Sequence, residues 1–244
     1  MVLQVKIAKC SHCSSMDLVK NGFTSCQSQR CLCKGCGKSR VPVYGQSEVD
    51  ARAVFILLCF RERLSLRGIL RVFNISWKTL YALFNSHVKS LKPHREGVCK
   101  PKEGDSLEYD ELCSFVGSKG SKHWLWVALS RKTRQVVAWV IGDRSTQTFK
   151  RLLKKMPPEY LKLQSYSDHW KSYRLLLGKG NHRMTDKQEG ETCHIERWNC
   201  TLRQRMSRFV RKSLAFSKKV RYHHMAVKLF IWFYNAEILH QQLE

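Results

Sequence analysis

Acidic residues are scarce in this chain. Its 244 residues include 19 Asp and Glu against 44 Lys and Arg, a formal net charge of +25. A field of that sign excludes basic partners and draws a polyanion. Nucleic acid is the usual one, because each neutralised phosphate releases counterions, and an anionic membrane surface is the weaker competitor. Long apolar runs are absent too. The longest, Ala53 to Phe60, is far below the roughly 18 residues a membrane span requires. Met1 to Ala8 lacks the basic start and apolar middle of a secretory leader, so the chain is expected in a reducing compartment. There its 11 Cys are thiols or metal ligands rather than disulfides. No internal repeat or low-complexity tract is present. Hydrophobic residues make up 43% and aromatic residues 11%, enough for a real core and against disorder.

Six of the cysteines lie within the first 36 residues. Cys10 and Cys13 form one C-x-x-C, Cys33 and Cys36 a second, and 19 residues separate the pairs. That spacing suits a four-thiolate zinc site, with each pair on a tight knuckle. A segment this short has little core, so the metal would supply its folding energy. Cys26 and Cys31 are additional thiols that could replace a ligand, and Lys34, Lys38 and Arg40 surround the second knuckle.

A turn-prone connection, Arg40 to Ser47, leads into a helical stretch from Val49 to about His87. Within it, Ser65 caps a helix to Phe73, Asn74-Ile75-Ser76 makes a three-residue break, and Ser76 caps a second helix from Trp77. Leu80 and Leu83 are expected to face inward, and Gly68 to let the two helices approach closely. Lys78, Thr79 and Tyr81 would then project outward, as on the recognition helix of a helix-turn-helix. An ordinary helical hairpin is the alternative; the local charge of Arg61, Arg63, Arg67, Arg71 and Lys78 favours DNA.

Val88 to Asp105, with Pro93, Gly97, Pro101 and Gly104, reads as a linker. Leu107–Val116, His123–Leu129 and Gln135–Ile141 read as strands, with turns at Lys119-Gly120 and Arg131-Lys132-Thr133. Thr146–Lys155 reads as a helix stopped by Pro157-Pro158, 161–166 as a strand, and 192–210 and 219–239 as helices. With so few acids, candidates for phosphodiester chemistry are limited. Asp110 lies in the first strand, Asp168 just after a later one, and Glu196 on a helix, and the three can converge at one edge of a mixed sheet. Such carboxylates would hold two Mg²⁺ or Mn²⁺ about 3.5–4 Å apart. Glu196, Asn199 and Arg203 share a line on their helix, which places a ligand beside a phosphate contact. Glu111 is the competing acid, on the opposite sheet face from Asp110. From Arg197 to Ala236 there are ten Lys or Arg and no acid, so Arg205, Arg208, Arg211 and Lys212 are expected to grip DNA backbone.

These segments resemble, almost end to end, the transposases of the insertion-sequence-one family. CSHC…VKNG…QRCLCKGC (10–36) resembles the family's zinc-ribbon front, and LSLRGILRVFNISWKTLYALF (64–84) its helix-turn-helix. YDELCSFVGSK, WLWVAL and VIGDRSTQTF resemble its first catalytic strands, SDHWKSY the segment of its second acid, and HIERWNCTLRQRMSRFVRKSLAFSKKV (194–220) its third-acid helix and basic tail. The resemblance implies an α/β, ribonuclease H-like catalytic domain with Asp110, Asp168 and Glu196 as its acids and Arg203 assisting. It also implies cutting and joining of DNA at terminal inverted repeats, a homo-oligomer on DNA, and a cytoplasmic, nucleoid-associated protein of a prokaryote. His169 stands where the family usually has Gly and lacks that residue's conformational freedom. The interval from Asp168 to Glu196 holds 27 residues, longer than the family pattern. In many members two halves are joined by frameshifting; here they are continuous.

The expected organisation is a zinc ribbon over 1–45, a helix-turn-helix over 46–90, a linker over 91–106 and the catalytic domain over 107–244. Two other functions fit parts of the sequence. A zinc-dependent DNA-binding regulator would not need the acids, and a stand-alone nuclease would cut without joining.

Overall fold

The computed structural model describes residues 8–43, 46–177, 180–210 and 212–242, with the side chains of 46–51 and 187 left aside. The chain falls into two compact units, Met1–Leu58 and Cys59–Glu244.

In the first unit three short strands form an antiparallel sheet in the order β1 (Leu18–Phe23), β2 (Gln29–Cys33), β3 (Ser39–Arg40). Among the described residues the sheet has almost no hydrocarbon core. Val19, Phe23 and Leu32 are exposed, whereas Cys10, Cys31 and Cys33 are buried. Thiols therefore occupy the place where a larger domain would pack leucines. Helix α1 (Gln46–Arg61) runs from this unit into the second.

In the second unit α2 (Leu66–Phe73) and α3 (Trp77–Ser90) follow. Both begin as expected: Ser65 Oγ accepts from Gly68 N–H and Ser76 Oγ from Thr79 N–H, satisfying donors that a helix start leaves unpaired. Asn74 ends α2 in the left-handed region at φ 47°, a conformation asparagine tolerates well. Leu80 and Phe84, rather than Leu83, are the fully buried residues of α3. Gly68 is buried against the turn that starts α2. A β-carbon there would crowd Leu64 and Ser65 at 3.0–3.3 Å, so the glycine makes room for the capping turn itself.

A mixed five-stranded sheet follows, in the order β6-β5-β4-β7-β8. Its strands are β4 (Ser106–Val116), β5 (Ser118–Ser130), β6 (Val136–Gly142), β7 (Gln164–Ser167) and β8 (His182–Met184). The first three are antiparallel neighbours, while β7 runs parallel to β4 and to β8. The β4–β5 turn is not at Lys119-Gly120 but at Gly117, whose φ of +79° suits a residue without a β-carbon. That earlier turn extends β5 to 13 residues.

Helices α4 (Thr146–Lys155) and α5 (Lys171–Leu176) pack on one face, where Tyr109, Trp126, Phe149 and Tyr173 form an aromatic core. On the opposite face of β4 lies α6 (Cys193–Arg205), with α7 (Val220–Gln241) packed on it through Trp198 and Phe230. Three boundaries differ from the sequence expectation. Residues 160–162 form a 3-10 turn, and strand β7 starts only at Gln164. Helix α6 stops at Arg205, because extended backbone at Met206 redirects the chain and lets Phe209 pack on His223. The expected linker is pinned to the sheet: His94 contacts the Val136 carbonyl, Cys99 N–H donates to Gln135, and Tyr160 OH donates to the Cys99 carbonyl.

Candidate functional site

The length mismatch between β4 and β7 creates the site. Strand β7 pairs with β4 only at Ser106, Leu107 and Glu108. From Tyr109 to Phe115 no strand pairs with that edge among the described residues, until Val116 bridges Ser217, and a pocket opens there beyond the carboxyl end of β7. Ligands commonly bind at such ends of parallel strands. Asp110 reaches the pocket from β4, Asp168 from the loop just after β7, and Glu196 from the first turn of α6. Asn199, Arg203, Arg144 and Glu111 complete the lining that matters chemically.

Each acid is held locally. Asp110 Oδ1 accepts from Glu111 N–H at 2.8 Å, and its Oδ2 accepts from the Asn199 amide. Asp168 Oδ1 accepts from Trp170 N–H at 2.9 Å. Glu196 Oε1 accepts from Thr192 Oγ1 at 3.4 Å. Burial pushes the Asp110 carboxyl up to about 6; the Glu111 amide and Asn199 oppose this, and the charges of Asp168 and Glu196 reinforce it. His169 does not occupy the left-handed region, so the loop path needs no glycine. Its Nε2 lies 3.3 Å from Asp186, tying this loop to the segment before α6.

Glu111, the competing acid expected on the opposite sheet face from Asp110, does lie on the aromatic face. It nevertheless lines the pocket, on the stretch of β4 beyond its pairing with β7. It accepts from Tyr173 OH at 2.6 Å and from Arg144 Nε at 2.7 Å. Burial raises its carboxyl to about 7, with Tyr173 opposing and the Asp110 and Asp168 charges reinforcing. The Arg144 guanidinium lies over the Trp170 ring at 3.8 Å and the Trp124 ring at 4.7 Å. Asn199 and Arg144 line the candidate site, and sequence reasoning did not select them. Asn199 stood on the line of Glu196 and Arg203, which was the available signal.

The four thiols converge. Cys10 and Cys36 sulfurs are 3.7 Å apart, Cys13 and Cys33 sulfurs 3.5 Å, and all four lie within 4.8 Å of one another. Zinc–sulfur bonds of about 2.3 Å in a tetrahedron put sulfurs about 3.8 Å apart, so the cluster fits zinc. Cys26 is exposed and Cys31 is buried, and neither belongs to the cluster. A second group, Glu108, Cys193 and His194, also lies within 4.8 Å, but it does not fit a cation. Both Glu108 oxygens are taken, by Arg131 and by Ile195 N–H. The positive charges of Arg134, Arg131 and Arg197 act on His194 and would repel a cation there.

The basic candidates divide. Lys78, Thr79 and Lys212 are exposed. Tyr81 instead stacks between Trp77 and Tyr222, at 5.4 and 4.5 Å. Arg205 is ion-paired to Glu62 and Glu237. Arg208 donates to Ser217 Oγ and lies over the Phe60 ring at 5.1 Å; burial brings its guanidinium down to about 10. Arg211 lies outside the described residues.

The family model described as IS1 transposase, of the DDE class, matches residues 106–235. The chain belongs to that family. The insertion element iso-IS1n protein InsB of Shigella dysenteriae is 41% identical over 124 residues, spanning 51% of this chain and 92% of that protein. The insertion element IS1 protein InsB of Shigella flexneri is 40% identical over 116 residues, or 48% and 86% of the two chains. The insertion element IS1 4 protein InsB of Escherichia coli (strain K12) is 39% identical over 116 residues, covering 48% and 67%. The matched part of this transposase contains β4, β7 and α6, and so every acid of the pocket. Among the described residues no helix is long and apolar enough to cross a membrane.

Proposed function

We propose that this transposase binds the terminal inverted repeats of its element and catalyses their metal-dependent cleavage and strand transfer, with Asp110, Asp168 and Glu196 as the metal-holding acids. The observation that carries this reading is the convergence of three carboxylates from three separate elements on one pocket beside Arg203. The donor set suits a hard divalent cation, since it is all oxygen. The mutual repulsion that helps raise Asp110 is what such an ion would relieve.

Two bound Mg²⁺ or Mn²⁺ would lower the pKa of an attacking water and stabilise the leaving 3′-oxygen. The protein's own residues do the rest. Asn199 and the Glu111 amide orient Asp110, Trp170 N–H orients Asp168, and Arg203 offers its guanidinium to a phosphate oxygen. No covalent protein–DNA intermediate is needed, so no Tyr or Ser nucleophile is invoked.

The sheet and its flanking helices support a ribonuclease H-like catalytic domain over 107–244. Serine caps on both helices and a short break between them support a helix-turn-helix within 46–90, reading DNA with the exposed Lys78 and Thr79. In this reading 1–45 is a zinc ribbon held by Cys10, Cys13, Cys33 and Cys36, 91–106 connects the parts, and Lys212 meets the DNA backbone. Joining two ends calls for a homo-oligomer on DNA.

The test is to replace the acids one at a time and assay an oligonucleotide carrying the element's end. Asp168→Asn should abolish cleavage and joining in Mg²⁺ while leaving end binding within about twofold, because the binding elements lie elsewhere. Full activity in Asp168→Asn, or wild-type activity in EDTA, contradicts the reading.

A further inference from the structure

Arg131, at the turn after β5, lies outside the pocket lining yet touches β4, β7 and the segment that leads into α6. Its Nε donates to Glu108 Oε1 at 2.8 Å, and its backbone N–H donates to the Ser106 carbonyl at 2.9 Å; both partners are on β4. Its guanidinium lies over the ring of Tyr166, on β7, at 3.8 Å. Its Nη2 donates to the carboxylate of Glu191, 2.6 Å away, and to the Glu191 carbonyl, just before α6. The remaining oxygen of Glu108 accepts from Ile195 N–H at 2.8 Å, in the first turn of α6.

The register makes these contacts consequential. Glu108 and Tyr166 are paired across the parallel strands. Asp110 and Asp168 lie two residues beyond them, and Glu196 is next to Ile195. The cluster therefore lies one rung below Asp110 and Asp168 and, through Glu108, beside Glu196. Glu108 is fully buried, and a buried ion pair adds little net stability over apolar packing. A planar fork that holds two carboxylates and stacks on a ring instead fixes direction on several sides at once.

We propose that Arg131, with Glu108, is the positioning residue of the acid pocket, setting the separation of Asp110, Asp168 and Glu196. This rests on the acid reading given above. Arg131 touches no substrate and acts only through the elements it joins.

The experiment is a Mn²⁺ titration of the zinc-loaded full chain, followed by electron paramagnetic resonance of the unbound ion. Wild type is compared with Arg131→Met, Tyr166→Leu and Asp168→Asn. Removing a positive charge near an acidic pocket would, by electrostatics alone, tighten Mn²⁺ binding. Loss of positioning should instead weaken it by about tenfold or more in Arg131→Met, with a smaller weakening in Tyr166→Leu, which changes no charge. Unchanged or tighter binding in both variants overturns the proposal. Should Arg131→Met fail to fold, Arg131→Lys, which keeps the charge but loses the fork, must also bind Mn²⁺ more weakly; wild-type affinity there overturns it. Asp168→Asn separates the two levels: if it leaves Mn²⁺ affinity unchanged, the acid reading falls and the positioning role with it.

Discussion

Asp110 is restrained from two sides, by the next residue's amide and by Asn199 from another element. The second restraint spans 89 residues of sequence, yet it holds the carboxylate that faces both other acids. Asn199→Ala should leave the fold intact and slow Mg²⁺-dependent strand cleavage by about 10- to 100-fold, the usual cost of losing a ligand's supporting hydrogen bond. A cleavage time course on an end-bearing oligonucleotide checks this, and an unchanged rate contradicts it. Burial also sets a pH dependence. Asp110 is raised to about 6 in the folded chain, above its unfolded value near 4. The folded state thus holds the proton more tightly, so stability is lost as pH rises from about 4 through about 6. Without Mg²⁺ but with zinc retained, Asp110→Asn should raise Tm over wild type more at pH 8 than at pH 5; thermal melts showing a pH-independent difference contradict this. The acids were legible in the sequence because there were so few to choose from. Arg131, Arg144 and Asn199 were not, because nothing in local spacing shows which carboxylate a distant side chain will meet.

At the scale of elements, legibility followed the strength of local signals. The capped helices around 74–76, the helix at Thr146–Lys155 and the paired thiols carry their own chemistry, and the structure has all of them. Strand β8 and helix α5 are three and six residues long and exist through tertiary pairing, so no periodicity betrays them. The position of the β4–β5 turn depended on which of two nearby glycines bent the chain, and Gly117 bends it. The N-terminal sheet has thiols in place of an apolar core, so its folding should depend on metal. Purified protein should contain about one Zn²⁺ per chain, and a Cys33→Ser, Cys36→Ser double variant should lose it. Unchanged zinc content in that variant, by elemental analysis, contradicts the assignment.

Across the whole molecule, a net charge of +25 attracts DNA non-specifically, while the three acids form a small negative enclave within it. In the proposed reading that contrast divides the work: the basic surface would hold the polyanion, and the enclave would need divalent cations before a phosphate could enter. Arg144 and Glu111 neutralise each other at its rim, and Arg131 and Glu108 do so beneath it, so Asp110, Asp168 and Glu196 are the acids the proposal gives to the metal. The most direct measurement is anomalous diffraction from crystals of the full chain with an end-bearing oligonucleotide and Mn²⁺. Two manganese peaks about 3.5–4 Å apart, within bonding distance of Asp110, Asp168 and Glu196, are the predicted result. Peaks held by other residues, or no peak in this pocket in a complex that cleaves its DNA, would contradict it.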